Sequence, residues 1–279
     1  MKTAEAFAPA KINLTLHVTG VRSDGYHLLD SLVVFVDIGD RVCVREAAET
    51  ALILRGPEAS GLVMEADNLV SRAARLVSPD LVAEITLEKN LPVSSGIGGG
   101  SSDAVATLRA LAELTGCRVP DAGACLALGA DVPVCLNPVP QRMAGIGEEL
   151  SPVASVPDAG VLLVNPRRAV STPEIFKALS NKTNPPMEAT LPRWQNLRDF
   201  TDWLRQHRND LQAPAEARLP EIGSACRALE DAGALVARMS GSGATCFGLF
   251  ATKRDAMDAS EKLGETLPDW WIEAGQILT

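Results

Sequence analysis

Apolar and polar residues alternate over residues 11–19, with Ile12, Leu14, Leu16 and Val18 on one side and Lys11, Asn13, Thr15 and His17 on the other. That period predicts a half-buried strand whose polar face presents Lys11 and Asn13 together. Ser23-Asp24-Gly25 reads as a turn, followed by apolar, strand-like sequence through Ile38. Further strands are expected over residues 42–45, 51–54 and 82–87. Asp67-Asn68 signals the start of a helix over residues 69–77, stopped by Pro79. A second helix is expected over residues 103–114, with Ser101 and Ser102 at N-cap positions and Asp103 in the dipole-favoured first turn. A shorter one over residues 122–128 leads into Gly129-Ala130-Asp131-Val132-Pro133.

Residues 151–160 carry two prolines and little periodicity, and a domain boundary is expected there, giving domains 1–155 and 156–279. Beyond it, residues 161–164 read as a strand, and Thr172-Pro173-Glu174 as an N-cap with proline at the first helical position. Helices follow over residues 196–207 and 222–232, then a strand over 234–239, a tight loop over 240–243 and a strand over 245–250. A helix over residues 254–263 precedes a short terminal strand. Helices and strands mix without regular βα alternation, so the expected class is α+β.

Composition narrows the function. With 46% hydrophobic and 22% charged residues in 279, the chain can bury a full core as a globular protein. No apolar run approaches the ~20 residues that cross a bilayer, and residues 1–9 hold no secretion-type apolar segment, so a cytoplasmic protein is expected. Six scattered cysteines without a C-x-x-C pair are expected to be reduced thiols, not a zinc site or disulfide framework. A formal net charge of −9 argues against nucleic acid as partner, but leaves room for a nucleotide held by backbone N–H groups.

Such a nucleotide site is suggested by Pro92-Val93-Ser94-Ser95-Gly96-Ile97-Gly98-Gly99-Gly100-Ser101-Ser102. Its glycines permit positive φ and close ligand approach, its serines add hydroxyl donors, and the helix behind it points unpaired N–H groups back at the loop. The stretch is not a Walker A sequence, because no Gly-Lys-Ser/Thr ends it. It also misses the dinucleotide fingerprint, since the position three beyond Gly98 is Ser101. Phosphorylating an alcohol further needs a group to take the hydroxyl proton and positive charge to offset the phosphoryl oxygens. Asp131 and Lys11 have the right chemistry, although by spacing alone an aspartate near a helix end is usually a solvated or capping residue and a strand lysine usually a surface one.

Three ordered segments resemble the motifs of the GHMP kinases, which phosphorylate galactose, homoserine, mevalonate and related small alcohols. They are Pro9-Ala10-Lys11-Ile12-Asn13-Leu14, the loop over residues 92–102, and Met239-Ser240-Gly241-Ser242-Gly243-Ala244-Thr245. Gly20-Val21-Arg22-Ser23-Asp24-Gly25-Tyr26-His27, Gly129-Ala130-Asp131-Val132-Pro133 and Thr172-Pro173-Glu174-Ile175-Phe176-Lys177 narrow the resemblance to members whose alcohol carries a cytidine diphosphate.

The resemblance implies a two-domain α+β fold, an N-terminal ribosomal-S5-domain-2-like domain and a C-terminal α/β-sandwich, with the active site in the cleft between them. It implies ATP, with Mg2+, as phosphoryl donor. It carries over Asp131 as the base, Lys11 as the cation that orients and polarises the hydroxyl, and Asn13 as a substrate contact. Residues 92–102 match the ATP phosphate loop, and Lys89 and Asn68 match positions on the nucleoside side of ATP. Tyr26 is implied to stack near the cytosine, His27 to read its edge, and Phe176 to contact the base from across the cleft. Thr172, Gly241 and Gly243 fall among the substrate-side residues, the two glycines in a turn that packs close to the phosphates and the first loop. No metal ligand is assigned: Ser102 offers a hydroxyl, and Asp103 reads as a helix-dipole residue. Two departures stand out. Val33 occupies a position where relatives can carry an aromatic, and Gln141-Arg142-Met143 replaces small residues ahead of the Gly145-Ile146-Gly147-Glu148 turn. Two other readings compete: a homoserine- or mevalonate-type kinase, disfavoured by Tyr26-His27, and a non-catalytic nucleotide-binding regulator, disfavoured by the presence of both Asp131 and Lys11.

Overall fold

The computed structural model describes residues 2–62, 68–78 and 82–278. The chain opens with strands β1 (Thr3–Asn13), β2 (His17–Val21), β3 (His27–Glu46) and β4 (Ala51–Arg55), then helix α1 (Leu69–Val77) and strand β5 (Ala83–Glu88). Helices α2 (Gly99–Thr115), α3 (Ala122–Leu126) and α4 (Val132–Cys135) follow, then strands β6 (Gln141–Gly145), β7 (Glu149–Pro152) and β8 (Gly160–Asn165). Next come helices α5 (Thr172–Ala178), α6 (Leu197–Arg205), α7 (Gln212–Arg218) and α8 (Glu221–Asp231). The chain closes with β9 (Val236–Met239), β10 (Cys246–Phe250), α9 (Lys253–Thr266) and β11 (Trp271–Gln276). Helix and sheet are mixed, as the α+β expectation required. Among the described residues no helix is long and apolar enough to cross a membrane, and all six cysteines are free thiols.

These elements form two units, and neither is one continuous stretch. The first comprises Met1–Ala10, Gly39–Val93 and Gly98–Asn137; the second comprises Lys11–Ile38, Ser94–Ile97 and Pro138–Thr279. In the first unit, residues 41–46 of β3 pair antiparallel with β5, and β4 pairs parallel with β5. Helices α1 and α2 pack together, and Val70, Ala106, Ala110, Leu111 and Leu114 meet Val42, Val44, Ile85 and Leu87 in its core. In the second unit, residues 29–33 of β3 pair with β6, and β6 with β7, all antiparallel. A separate antiparallel sheet runs in the order β11-β8-β10-β9 and packs against α8 and α9 through Leu162, Val164, Leu229, Ala256 and Ala259.

Several boundaries differ from the sequence reading. The helix expected from residue 103 begins at Gly99, with Gly98 in the N-cap position at φ 66°, so Ser101 and Ser102 lie inside its first turn and do not cap it. Glycine in a helix costs only about 1 kcal/mol against alanine, and the buried face of Ala104, Val105, Leu108 and Leu111 outweighs that. The strand expected over residues 11–19 breaks between Asn13 and His17, and its polar side is not a solvent face: Lys11, Asn13, Thr15 and His17 are all buried. Alternation cannot distinguish polar groups facing water from polar groups facing polar partners. The N-cap of α5 is Ser171, one residue earlier than expected. Helix α1 keeps its expected span, capped by Asn68; Asp67 and Pro79 lie outside the described residues.

Candidate active site

The glycine-rich loop owes its shape to alternating backbone handedness. Ser94, Gly96 and Gly98 have φ of 53°, 77° and 66°, while Ser95 and Ile97 between them do not adopt positive φ. Such alternation turns successive N–H groups toward one side, the geometry of an anion-binding nest. Where α2 begins, Ser102 N bonds to Gly98 O at 2.9 Å. The N–H groups of Gly99, Gly100 and Ser101, one turn nearer the N-terminus, have no acceptor inside the helix and sit at its positive dipole end.

The other two motifs converge on the middle of this loop. Lys11 N donates to Ile97 O at 2.9 Å, and Thr245 N donates to Ser95 O at 3.1 Å. Ser240 Oγ accepts from Asn13 N at 3.0 Å and donates to Gly96 O at 3.2 Å, so one hydroxyl ties all three motifs together. A Cβ on Gly96 would lie 2.5 Å from Ser240 O and 2.8 Å from Gly243 N; one on Gly241 would lie 2.5 Å from Gly96 O. The two turns therefore pack backbone on backbone. Asn209 Nδ2 holds the second of them by donating to Met239 O and Gly241 O, each at 2.8 Å.

Asn13 is buried, and its orientation follows from its neighbours' protons. The Ser31 hydroxyl donates to Thr15 O at 2.5 Å, so Ser31 Oγ can only accept, and Asn13 Nδ2 donates to it at 2.8 Å. That leaves Asn13 Oδ1 buried with no partner among the described residues. An unpaired buried acceptor costs about 1–3 kcal/mol, a cost that a donor on a ligand would remove. Lys11, two residues earlier, is also buried, at 3% exposure.

Asp103 takes a different place from the one expected. Lys89 Nζ donates to Asp40 and, at 2.9 Å, to Asp103 Oδ2, and all three side chains are buried. Asp103 is therefore the partner of an internal lysine, one turn inside α2, and not a first-turn dipole residue. Burial pushes the Asp103 carboxyl up to about 8, against the pull of Lys89 and with the help of Asp40. Burial also draws Lys89 down, but Asp103 and Asp40 together raise it above its ordinary value. Lys89 Nζ lies 3.1 Å from where a Cβ on Gly99 would sit, so the cluster underlies the start of α2.

The sign of the resulting pH dependence is fixed. The folded chain holds the Asp103 proton more tightly than the unfolded chain does, so this group stabilises the fold most at low pH. That contribution is lost as pH rises from about 4 through about 8. Melting curves from pH 5 to pH 9 should show a one-proton slope up to about pH 8 that Asp103→Asn lacks. Equal slopes in the two proteins would contradict the assignment.

Asn68 Oδ1 accepts from Ser71 N at 2.9 Å and so caps α1. The expected cytosine-side residues are partly brought together. The rings of His27 and Phe176 lie 4.7 Å apart at 32°, and His27 Nε2 is buried without a hydrogen-bond partner among the described residues. Burial, with Lys182 adding to it, holds the imidazole below its usual value and therefore neutral at pH 7. Tyr26 is 57% exposed, with the Arg22 guanidinium 5.6 Å from its ring centroid. Thr172 Oγ1 meets Ser242 Oγ at 2.6 Å, in the same turn as Gly241 and Gly243. Val33 is fully buried in β3 and opposite Gln141 of β6. Asp131, half-buried, occupies the N-cap position of α4 but makes no side-chain capping bond.

The chain matches two family models, the GHMP kinase N-terminal domain over residues 68–137 and the GHMP kinase C-terminal domain over residues 187–269. It is 59% identical over 276 residues to the 4-diphosphocytidyl-2-C-methyl-D-erythritol kinase of Ruegeria pomeroyi, covering 98% of this chain and 99% of that one. This chain belongs to the 4-diphosphocytidyl-2-C-methyl-D-erythritol kinase family of the GHMP kinases. The kinase of the same name from Cereibacter sphaeroides strain ATCC 17025 is 56% identical over 98% of this chain and 99% of its own length. A crystal structure of 4-(cytidine 5'-diphospho)-2C-methyl-D-erythritol kinase superposes with a TM-score of 0.80 at 31% identity, covering 99% of each chain.

Within this family fold, sequence reasoning missed residues that act through backbone. Ser240 stood in a quoted motif, but only its contacts reveal that it links Asn13 to Gly96. Asn209 carried no local signal, since its two carbonyl partners lie 30 and 32 residues away. Asp40, the second carboxylate on Lys89, was equally silent.

Proposed function

We propose that this protein transfers the γ-phosphoryl group of ATP to the 2-hydroxyl of 4-diphosphocytidyl-2-C-methyl-D-erythritol, a step toward isoprenoid precursors in the methylerythritol phosphate pathway. The observation that carries the reading is the loop over residues 94–101, where alternating φ and three helix-start N–H groups make a backbone site for polyphosphate. Family membership at 59% identity supports the name of the acceptor.

The proposed chemistry is one displacement. Asp131 takes the proton of the 2-hydroxyl as its oxygen bonds to the γ-phosphorus, and the bond to the β-phosphate oxygen breaks to release ADP. The Lys11 ammonium offsets charge on the reacting oxygens. Lys11 and Asp131 belong to different units, so their joint action is part of the proposal. Residues 92–102 hold the phosphates, while Lys89 and Asn68 lie on the nucleoside side of ATP. Asn13 Oδ1 accepts from the acceptor alcohol, with Thr172, Gly241 and Gly243 on the substrate side. His27 reads the cytosine edge with its neutral ring, beside Phe176 and Tyr26.

Among the described residues no group of three or more His, Cys, Asp or Glu side chains is placed to hold a metal ion. Mg2+ would arrive on ATP's phosphates and keep several waters. The Ser102 hydroxyl, donating to Pro9 O at 2.7 Å, still has a lone pair for such an ion or its water. Bound there, the ion would neutralise charge on the transferring phosphoryl. We place the reaction in the cytoplasm, with small molecules and no nucleic acid as partners, as the net charge of −9 favours. We place the domain division at 155/156, in the stretch between the two family matches, which end at residue 137 and begin at residue 187.

The test compares two acceptors: the cytidine diphosphate alcohol, and the same alcohol 4-phosphate without cytidine. The full acceptor should be preferred about a hundredfold or more in kcat/KM, and Tyr26→Ala should narrow that preference by raising KM for the full acceptor alone. Equal use of both acceptors by the unaltered enzyme would overturn the reading.

A further inference from the structure

Arg142 stands out in the sequence because a small residue is expected there, and the structure gives it an extensive set of partners. Its Nε and Nη2 donate to the two oxygens of Asp30, at 2.7 and 2.8 Å. Its Nη1 donates to Glu188 O at 2.8 Å and to Ala189 O at 3.1 Å. The Asp30 carboxylate also accepts from Met187 N at 2.7 Å. A planar guanidinium is suited to this double task, because one edge matches the carboxylate while its remaining donors reach a third element. Arg142 thus fastens residues 187–189, which lie outside any strand or helix, to β3 and β6.

Met187 is the consequence. Its sulfur accepts from Thr15 Oγ1 at 3.2 Å, and Thr15 Oγ1 accepts from Leu32 N at 2.9 Å. Thr15 O in turn receives the Ser31 hydroxyl, whose oxygen receives Asn13 Nδ2. The chain of bonds runs unbroken from Arg142 to Asn13 through Asp30, Met187, Thr15 and Ser31, all within the second unit. Asn13 and Met187 are 1% and 3% exposed, and the chain ends on one open acceptor, Asn13 Oδ1.

We propose that Arg142 is a positioning residue for the acceptor alcohol: by pinning Met187 through Asp30 it fixes Asn13, so that Oδ1 stands ready for a hydroxyl of the substrate. The proposal rests on the reading of Asn13 as a substrate contact. It makes Asp30, Met187, Thr15 and Ser31 parts of one device, and it explains why arginine occupies a position where small residues are expected.

The test uses the full-length enzyme. Arg142→Met should raise KM for the cytidine alcohol about tenfold, with KM for ATP changed by less than about twofold and Arg142→Lys falling between. Should Arg142→Met fail to fold, Met187→Leu, a swap that conserves volume, removes the sulfur acceptor alone and should raise the same KM about threefold. A purely structural role would lower active protein without splitting the two KM values. Folded variants with both KM values unchanged, or both shifted together, would overturn the proposal. Asn13→Ala separates the two levels. If it raises KM for the alcohol while Arg142→Met and Met187→Leu do not, the positioning claim alone fails. If Asn13→Ala leaves that KM unchanged, the substrate reading of Asn13 fails and takes the positioning claim with it.

Discussion

Asp131→Asn should lower turnover by about a hundred- to ten-thousandfold, the range expected for loss of a general base, while ATP still binds normally. Asparagine keeps the shape of the side chain but cannot take a proton at neutral pH. The carboxylate stands at the N-cap position of α4 without making a capping bond, so the substitution removes no cap. The backbone groups proposed to hold phosphate lie on residues 94–101 and are untouched. Pre-steady-state turnover and calorimetric ATP titration of one preparation would separate the two effects. A variant that turns over within about threefold of the unaltered enzyme would remove Asp131 from proton transfer.

Gly96→Ala should be nearly as damaging, by a route that begins in the backbone. At φ 77° an L residue is strained by about 1–2 kcal/mol, and the new Cβ would meet Ser240 O at 2.5 Å and both Gly243 N and Gly243 O at 2.8 Å. Those are backbone atoms, and Asn209 and Ser240 hold that turn by hydrogen bonds, so neither side can yield cheaply. A control is built into the chain. Gly116, the C-cap of α2, has the same φ of 77° but no atom of the described residues within 4 Å of its Cβ position, so Gly116→Ala carries the conformational strain alone. Gly96→Ala should melt several degrees below Gly116→Ala and lose at least about tenfold in ATP affinity. Equal melting and intact ATP affinity would mean that the packing of the two turns does not shape the phosphate loop.

Much of this molecule can be read along the chain where the physics is local. Helix α1 spans its expected residues because Asn68 supplies a cap and apolar periodicity does the rest. Apart from α7, which the sequence reading lacks, the order of strands and helices after residue 160 follows it closely for the same reason. The positive-φ turn ahead of α2 was legible because glycines and serines before a helix favour such backbone. The start of α2 was not, since four glycines look like a loop until the burial of the following face decides the matter.

Polar partnerships over long separations left no local trace. Lys89 meets carboxylates 49 residues before it and 14 after it, and its burial is invisible to periodicity. The polar side of residues 11–17 read as a solvent face because alternation reports sides, not what covers them; Ser31, Met187 and Pro185 cover it here. Arg142 could be flagged as unusual, but its purpose needed Asp30, 112 residues away.

The central claim is that the phosphoryl group goes from ATP to the 2-hydroxyl of the cytidine diphosphate alcohol. The most direct test incubates the purified protein with ATP, Mg2+ and equal amounts of that alcohol, homoserine and mevalonate, and follows phosphorus NMR. One new phosphomonoester should appear, on the 2-oxygen of the cytidine alcohol and equimolar with ADP, with the other two alcohols unchanged. Phosphorylation of homoserine or mevalonate instead, or no new ester on the cytidine alcohol, would contradict the account.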